Sequence, residues 1–188
     1  MGQNNHQDFL PQRGNYRNLI VYQKAECIYD ITFYFANQFL QKGDRTIDQM
    51  VQAARSGKQN IAEGSAASST SRETEIKLTN VAKASFQELL VDYEDYLRVR
   101  HLEQWQEGDE RLEQARAYCS KHSDSSIYRE AIIQRSDETI ANIAIVLLKQ
   151  EDYLLYRLIE RFKQDFLEKG GIREEMSRAR RNYRDNKK

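Results

Sequence analysis

The chain has 188 residues, 39% of them hydrophobic and 31% charged, which is enough apolar material for one core and a heavily charged surface around it. Lys+Arg and Asp+Glu both number 29, so zero net charge excludes a whole-chain electrostatic hold on nucleic acid or membrane, unless the charge is segregated. One proline and eight glycines leave long stretches without helix breakers, no apolar run reaches the ~18 residues a membrane span needs, and the polar N-terminus has no apolar signal core. These features predict an all-α cytoplasmic protein with its two cysteines, Cys27 and Cys119, reduced.

Residues 1–15 read as a flexible arm, with Asn15 as cap of a first helix over about 17–41. That helix carries two apolar stripes, Leu19/Tyr22/Tyr29/Phe33/Ala36/Leu40 and Val21/Ala25/Ile28/Phe35/Phe39, which predict a broad buried face. After Gly43-Asp44, Thr46 and Gln49 form a capping box for a second helix. Its inward line, Met50, Ala53/Ala54, Gly57, Ile61 and Gly64, is dominated by small residues. A glycine inside a helix costs about 1 kcal/mol against alanine, so Gly57 calls for a closely approaching neighbour. Gly64 is read as the C-terminal cap before a Ser-rich loop.

Thr70 with Glu73 forms a second capping box, opening a third helix that runs to about residue 105. Gly108-Asp109 breaks the pattern, and Glu110–His122 is a short amphipathic helix. A further helix is expected from Ile127 through Ser136 to Lys149. A last one, Tyr153–Lys169, places Leu154, Leu158, Phe162 and Phe166 on one face and is either separate or continuous with it. Gly170-Gly171 stops it. The tail, 172–188, has seven basic residues against three acidic ones, or +4, while 103–113 has five acids against Arg111, or −4.

No catalytic residue, cofactor or metal site emerges. A di-metal carboxylate centre in a helical bundle needs Glu-x-x-His pairs, and the residues three before His6, His101 and His122 are Gln3, Arg98 and Cys119. Cys119 and His122 supply two ligands where a tetrahedral site needs more. There is no GxxxxGK[ST] loop, no GxGxxG after a strand and no GxSxG elbow. Eleven tyrosines suit core and interface packing first, base stacking second.

The segment 55–64 concentrates polar residues on a helix with a buried side. Arg55, Lys58 and Lys77 suggest an anion or nucleic-acid contact. The structural alternative has Asn60 and Glu63 satisfying backbone groups at a helix end, beside Gly57 and Gly64. In the tail, Arg178, Arg180, Arg181 and Arg184 are the candidate nucleic-acid contacts.

Gln59-Asn-Ile-Ala-Glu-Gly64, the Ser-rich loop and the later Phe86-Gln-Glu-Leu-Leu resemble a four-helix-bundle family. That family includes proteins encoded in intervening sequences of 23S ribosomal RNA genes and the accessory proteins of diversity-generating retroelements. The likeness spans about 17–149. Asn142–Gln150, Tyr153-Leu-Leu and Phe166…Gly170-Gly171 look like the C-terminal suffix extension of one branch. The resemblance implies an antiparallel up-down four-helix bundle (16–149) with a helical C-terminal extension (150–171) and the basic tail (172–188). It also implies a homo-oligomeric ring, typically a pentamer, without enzymatic activity. Retroelement members are strongly basic and work with a reverse transcriptase and nucleic acid; this chain departs from them in its zero net charge. The expected function is a non-enzymatic oligomeric binding or scaffold protein that contacts RNA or DNA, or a nucleic-acid enzyme, through a basic surface or the tail. The alternative is a purely structural or protein–protein module.

Overall fold

The computed structural model describes residues 15–186, so the expected arm over 1–15 falls, but for Asn15, outside the described residues, as do Lys187 and Lys188. Among the described residues, seven α-helices follow a 3-10 turn at Tyr16–Asn18: α1 (Ile20–Phe39), α2 (Arg45–Ala67), α3 (Arg72–Val99), α4 (Glu110–Lys121), α5 (Ser125–Ile132), α6 (Asp137–Lys169) and α7 (Ile172–Asp185). No strand occurs among the described residues.

Most helices start on a side-chain oxygen that accepts an otherwise orphaned backbone N–H. Asp44 accepts from Thr46 N (2.9 Å), Ser71 from Thr74 N (3.1 Å), Asp109 from Arg111 N (2.8 Å), Asp124 from Ser126 N (2.9 Å) and Ser136 from Thr139 N (3.3 Å). Both expected capping boxes are therefore corrected. Thr46 lies inside α2 behind Asp44. The Thr70 hydroxyl donates backward to Ala67 O (3.0 Å), and Glu73 pairs with Lys77 instead of reaching back. Asn15 caps the 3-10 turn, accepting from Arg17 N, and α1 begins five residues later.

Gly64 is not a cap. Helix α2 runs past it to Ala67, and the serine-rich loop shrinks to the turn over 68–71. The absence of a side chain at Gly64 serves packing: a Cβ there would lie 3.4 Å from Glu75 O and from Leu78 Cβ on α3. Gly57 is tighter still, since an added Cβ would fall 2.4–2.7 Å from the Phe86 ring. The close approach expected at Gly57 is thus present, and the intruding group is an aromatic ring.

The four long helices form a closed cycle of neighbours, α1 to α2, α2 to α3, α3 to α6 and α6 to α1, with α5 beside α1 and α4 beside α6. Ile28, Phe35, Met50, Phe86, Tyr93 and Leu147 are among the side chains buried between them. Tyr93 donates to Thr32 Oγ1 (3.1 Å) and Tyr96 to Asp137 Oδ2 (2.9 Å), so these tyrosines bury their rings and satisfy their hydroxyls.

Three further expectations change. Helix α3 ends at Val99, not near 105. His101 takes a positive φ of 56°, and buried Asn142 holds the linker by donating to Glu103 O (2.8 Å) and accepting from Trp105 N (2.9 Å). The helix expected to pass through Ser136 is broken there, because Ser136 caps α6. Conversely, α6 continues unbroken across 149/150, so the proposed bundle–suffix boundary falls mid-helix. Its 33 residues make a rod of about 50 Å. Glu151, Leu155 and Ile159 carry its buried face onward, whereas Phe166, placed by spacing on an inward face, is exposed. Gly170, at φ 78°, ends α6, and Gly171 N donates to Glu174 Oε2 (2.6 Å) at the start of α7. No residue of α7 is buried.

Candidate nucleic-acid interface

The basic trio on the bundle is not brought together. Lys58 turns from α2 toward α1, with Nζ 4.2 Å above the Tyr29 ring, and Tyr29 stacks with Phe33 at 6.3 Å between centroids. Phe33, assigned by its spacing to the apolar stripe, is 52% exposed because it belongs to the outer edge of α1. Arg55 is exposed on α2, one turn before Lys58. Lys77 lies on α3, at the level of Gly64, and pairs with Glu73 at 2.7 Å. The resulting surface joins Lys58 to Tyr29 and Phe33, with Arg55 exposed one turn away on α2. Nothing in the sequence singled out Tyr29 and Phe33 among the aromatics.

Asn60 donates to Ser56 O (2.9 Å) and Ser56 Oγ (3.3 Å) one turn back, while Glu63 is exposed. Neither stands at a helix end, because α2 continues to Ala67. The helix-end role assigned to this pair is therefore corrected: Asn60 makes a local contact within α2.

The second basic surface is α7. Arg178, Arg180, Arg181 and Arg184 are all exposed, and none has a carboxylate within ion-pair distance among the described residues. Arg178 donates to Lys169 O at 3.0 Å, tying α7 to the end of α6. Arg173, Arg180, Arg181 and Arg184 fall together on one side at 100° per residue, and Ile172, Met176 and Ala179 on another. The acidic counterweight at 103–113 is already engaged. Arg111 holds Glu103 (2.8 Å) and Asp109 (2.7 Å), and Arg116 holds Glu107 and Glu113.

A buried polar cluster was not anticipated. Lys24 on α1 is 3% exposed, and its ammonium donates to Cys119 O on α4 and to Gln150 Oε1 (3.3 Å) on α6. Gln150 Nε2 donates in turn to Arg116 O (3.1 Å). Lys24 thereby ties three helices through one charged atom, and burial lowers its pKa. Adjacent Glu151 is fully buried, and neither carboxyl oxygen has a hydrogen-bond partner among the described residues. Burial raises its pKa well above the ordinary carboxylate range, opposed in part by the nearby Lys24 charge. The available signal was a charged residue in each apolar line, Val21/Lys24/Ile28 and Leu148/Glu151/Leu155.

Cys27 and Cys119 are free and buried. Burial pushes Cys27 up to about 12 and raises Cys119 as well, the opposite of an activated nucleophile. No group of three or more His, Cys, Asp and Glu side chains among the described residues could hold a metal ion. No helix among them is long and apolar enough to cross a membrane. Comparison with protein-family models, curated proteins and solved structures returned no match.

Proposed function

We propose that this chain is a non-enzymatic, oligomeric scaffold whose C-terminal helix α7 holds RNA or DNA. The observation that carries this reading is the set of exposed arginines on α7 without carboxylate partners among the described residues, on a helix with no buried residue. Guanidinium groups not engaged by carboxylates are suited to phosphate oxygens, and such contacts position a nucleic acid without reading its sequence. The Tyr29–Phe33 stack beside Lys58 is a second, smaller surface suited to an unpaired base.

The bundle behind these surfaces is an antiparallel up-down four-helix bundle. Two pairings support this: Gly57 meets Phe86 while Gly64 meets Thr79, and Lys83 meets Asp152 while Tyr96 meets Asp137. In both, residue numbers climb on one helix as they descend on the other. A ring of five chains, acting in the cytoplasm beside a nucleic-acid enzyme, follows from the family resemblance.

The test is gel-shift titration at low salt, using single-stranded RNA and duplex DNA, with and without residues 172–188. Binding by the full chain that disappears on truncation supports the reading. No binding at low salt, or equal binding by the truncated chain, sinks it.

A protein-interaction role has its own observation, the apolar line Ile172, Met176 and Ala179 along α7, with Met176 48% exposed. A helix offering that stripe suits a partner groove. On this reading truncation lowers the oligomer mass in light scattering and leaves nucleic-acid affinity unchanged.

A further inference from the structure

A cleft of about 360 Å³ opens between α4, α5 and the first half of α6, with no α7 residue among its walls. That volume lies in the range of small-molecule sites. Its walls include Trp105, Tyr118, Tyr128, Ile132 and Ile143, so three aromatic rings face a common space. Tyr118 and Tyr128 already meet edge to face, with centroids 5.9 Å apart at 85°.

The polar groups, Arg111, Gln114, Cys119, Tyr128, Arg135 and Thr139, are unequal. Arg111 is held by Asp109 and Glu103. Tyr128 donates to His122 O at 3.1 Å. Arg135 is different: Nε donates to Ala131 O at 3.0 Å, and no carboxylate lies within ion-pair distance among the described residues. Arg135 thus lines the solvent-exposed rim of the cleft without a counter-charge, while Arg111 lies over the Trp105 ring, 5.5 Å from its centroid. Trp105 adds a second unmet group, since its Nε1–H is shut off from solvent and has no acceptor. Native structures leave few buried donors unpaired, and each such group calls for a reason.

We infer that this cleft binds a small aromatic carboxylate, its ring among Trp105, Tyr118 and Tyr128 and its anionic group on Arg135. Offset and edge-to-face packing favours a flat aromatic body over an aliphatic one. A carboxylate matches the planar guanidinium fork and forms a charge-assisted bond. The inference is independent of nucleic-acid binding by α7.

Trp105 is the only tryptophan, so uniformly ¹⁵N-labelled full-length protein gives one indole N–H cross-peak, a reporter in the wall of the cleft. The probe is 2-naphthoate, with neutral 2-naphthamide as its control. The expected result is a saturable shift of that peak, with naphthoate binding about tenfold tighter than the amide, the scale of one charge-assisted hydrogen bond. Arg135→Gln should weaken naphthoate about tenfold and erase the preference for the anion. Ala131→Phe, which fills the space, should abolish both shifts while the remaining amide spectrum stays folded. An unmoved or unsaturable peak overturns the inference, as does equal naphthoate affinity in the Arg135→Gln protein.

Discussion

Helix α6 belongs to two regions that behave differently. Up to Ile159 it supplies buried residues to the four-helix core; beyond Glu160 it has none, and α7 continues that arm without a buried residue. Both halves carry apolar residues at helical spacing. The first half is buried because α1, α3 and α4 pack around it. Spacing describes which residues share a face; partners decide whether that face leaves water. The difference teaches where stability resides, with the bundle holding the fold and the arm presenting charge.

The comparison breaks most visibly in the core. Phe86→Ala should cost about 3–5 kcal/mol, since it empties a buried aromatic site against Gly57. Phe166→Ala on the exposed arm should stay within about 0.5 kcal/mol. Chemical denaturation checks both, and comparable costs would erase the distinction between the two regions.

Gly57→Ala sharpens the same point. An alanine there gains about 1 kcal/mol of helix propensity. Its Cβ would nevertheless drive into the Phe86 ring, so a net loss of about 1–3 kcal/mol is expected. Phe86→Leu should relieve part of this loss, making the double variant more stable than the sum of the single changes predicts. Strict additivity would mean that the ring and the glycine are not coupled.

Glu151 gives a change of opposite sign. The folded protein keeps this carboxyl protonated at a pH where the unfolded chain releases the proton. Stability therefore falls as pH rises above about 4.3, the ordinary glutamate pKa, until the raised folded value is reached. Glu151→Met removes the unpartnered oxygens and keeps the bulk. It should stabilise the protein by about 1–3 kcal/mol at neutral pH and flatten that slope. Melting curves across pH 4–8 test this; a destabilised variant with an unchanged slope would show that the carboxyl has a partner in solution.

Deleting residues 172–188 should have the smallest effect on stability, within about 0.5 kcal/mol, because α7 buries nothing. A large drop in melting temperature would place the arm in the cooperative unit.

The sequence made the helices legible and their junctions much less so. Long runs with few breakers announced α1, α2 and α3, and Gly170-Gly171 marked the end of α6, whose start at Ser136 was not expected. Caps misled where two candidates adjoined: Asp44 displaced Thr46, and Ser71 displaced Thr70. Gly64 looked like a terminator because a glycine before serines suits a cap; its actual role is contact with α3, which no local pattern encodes. The end of α3 was hidden because Asn142, some forty residues away, holds the linker, and the positive φ falls on a histidine. The basic surface was half legible. The arginines of α7 were found by counting charge, but Tyr29 and Phe33 read as core, and Lys77 as a neighbour of Lys58. Lys24 and Glu151 escaped because a charge inside an apolar line is easily read as its edge.

The most direct test of the account is the salt dependence of nucleic-acid affinity, measured for the full chain and for the variant with Arg178, Arg180, Arg181 and Arg184 all replaced by alanine. Each phosphate contact contributes about 0.7–0.9 to the slope of log affinity against log salt. The account predicts a steep slope for the full chain that falls by roughly 2–4 in the variant, with an unchanged melting temperature. Equal slopes for the two proteins would contradict it.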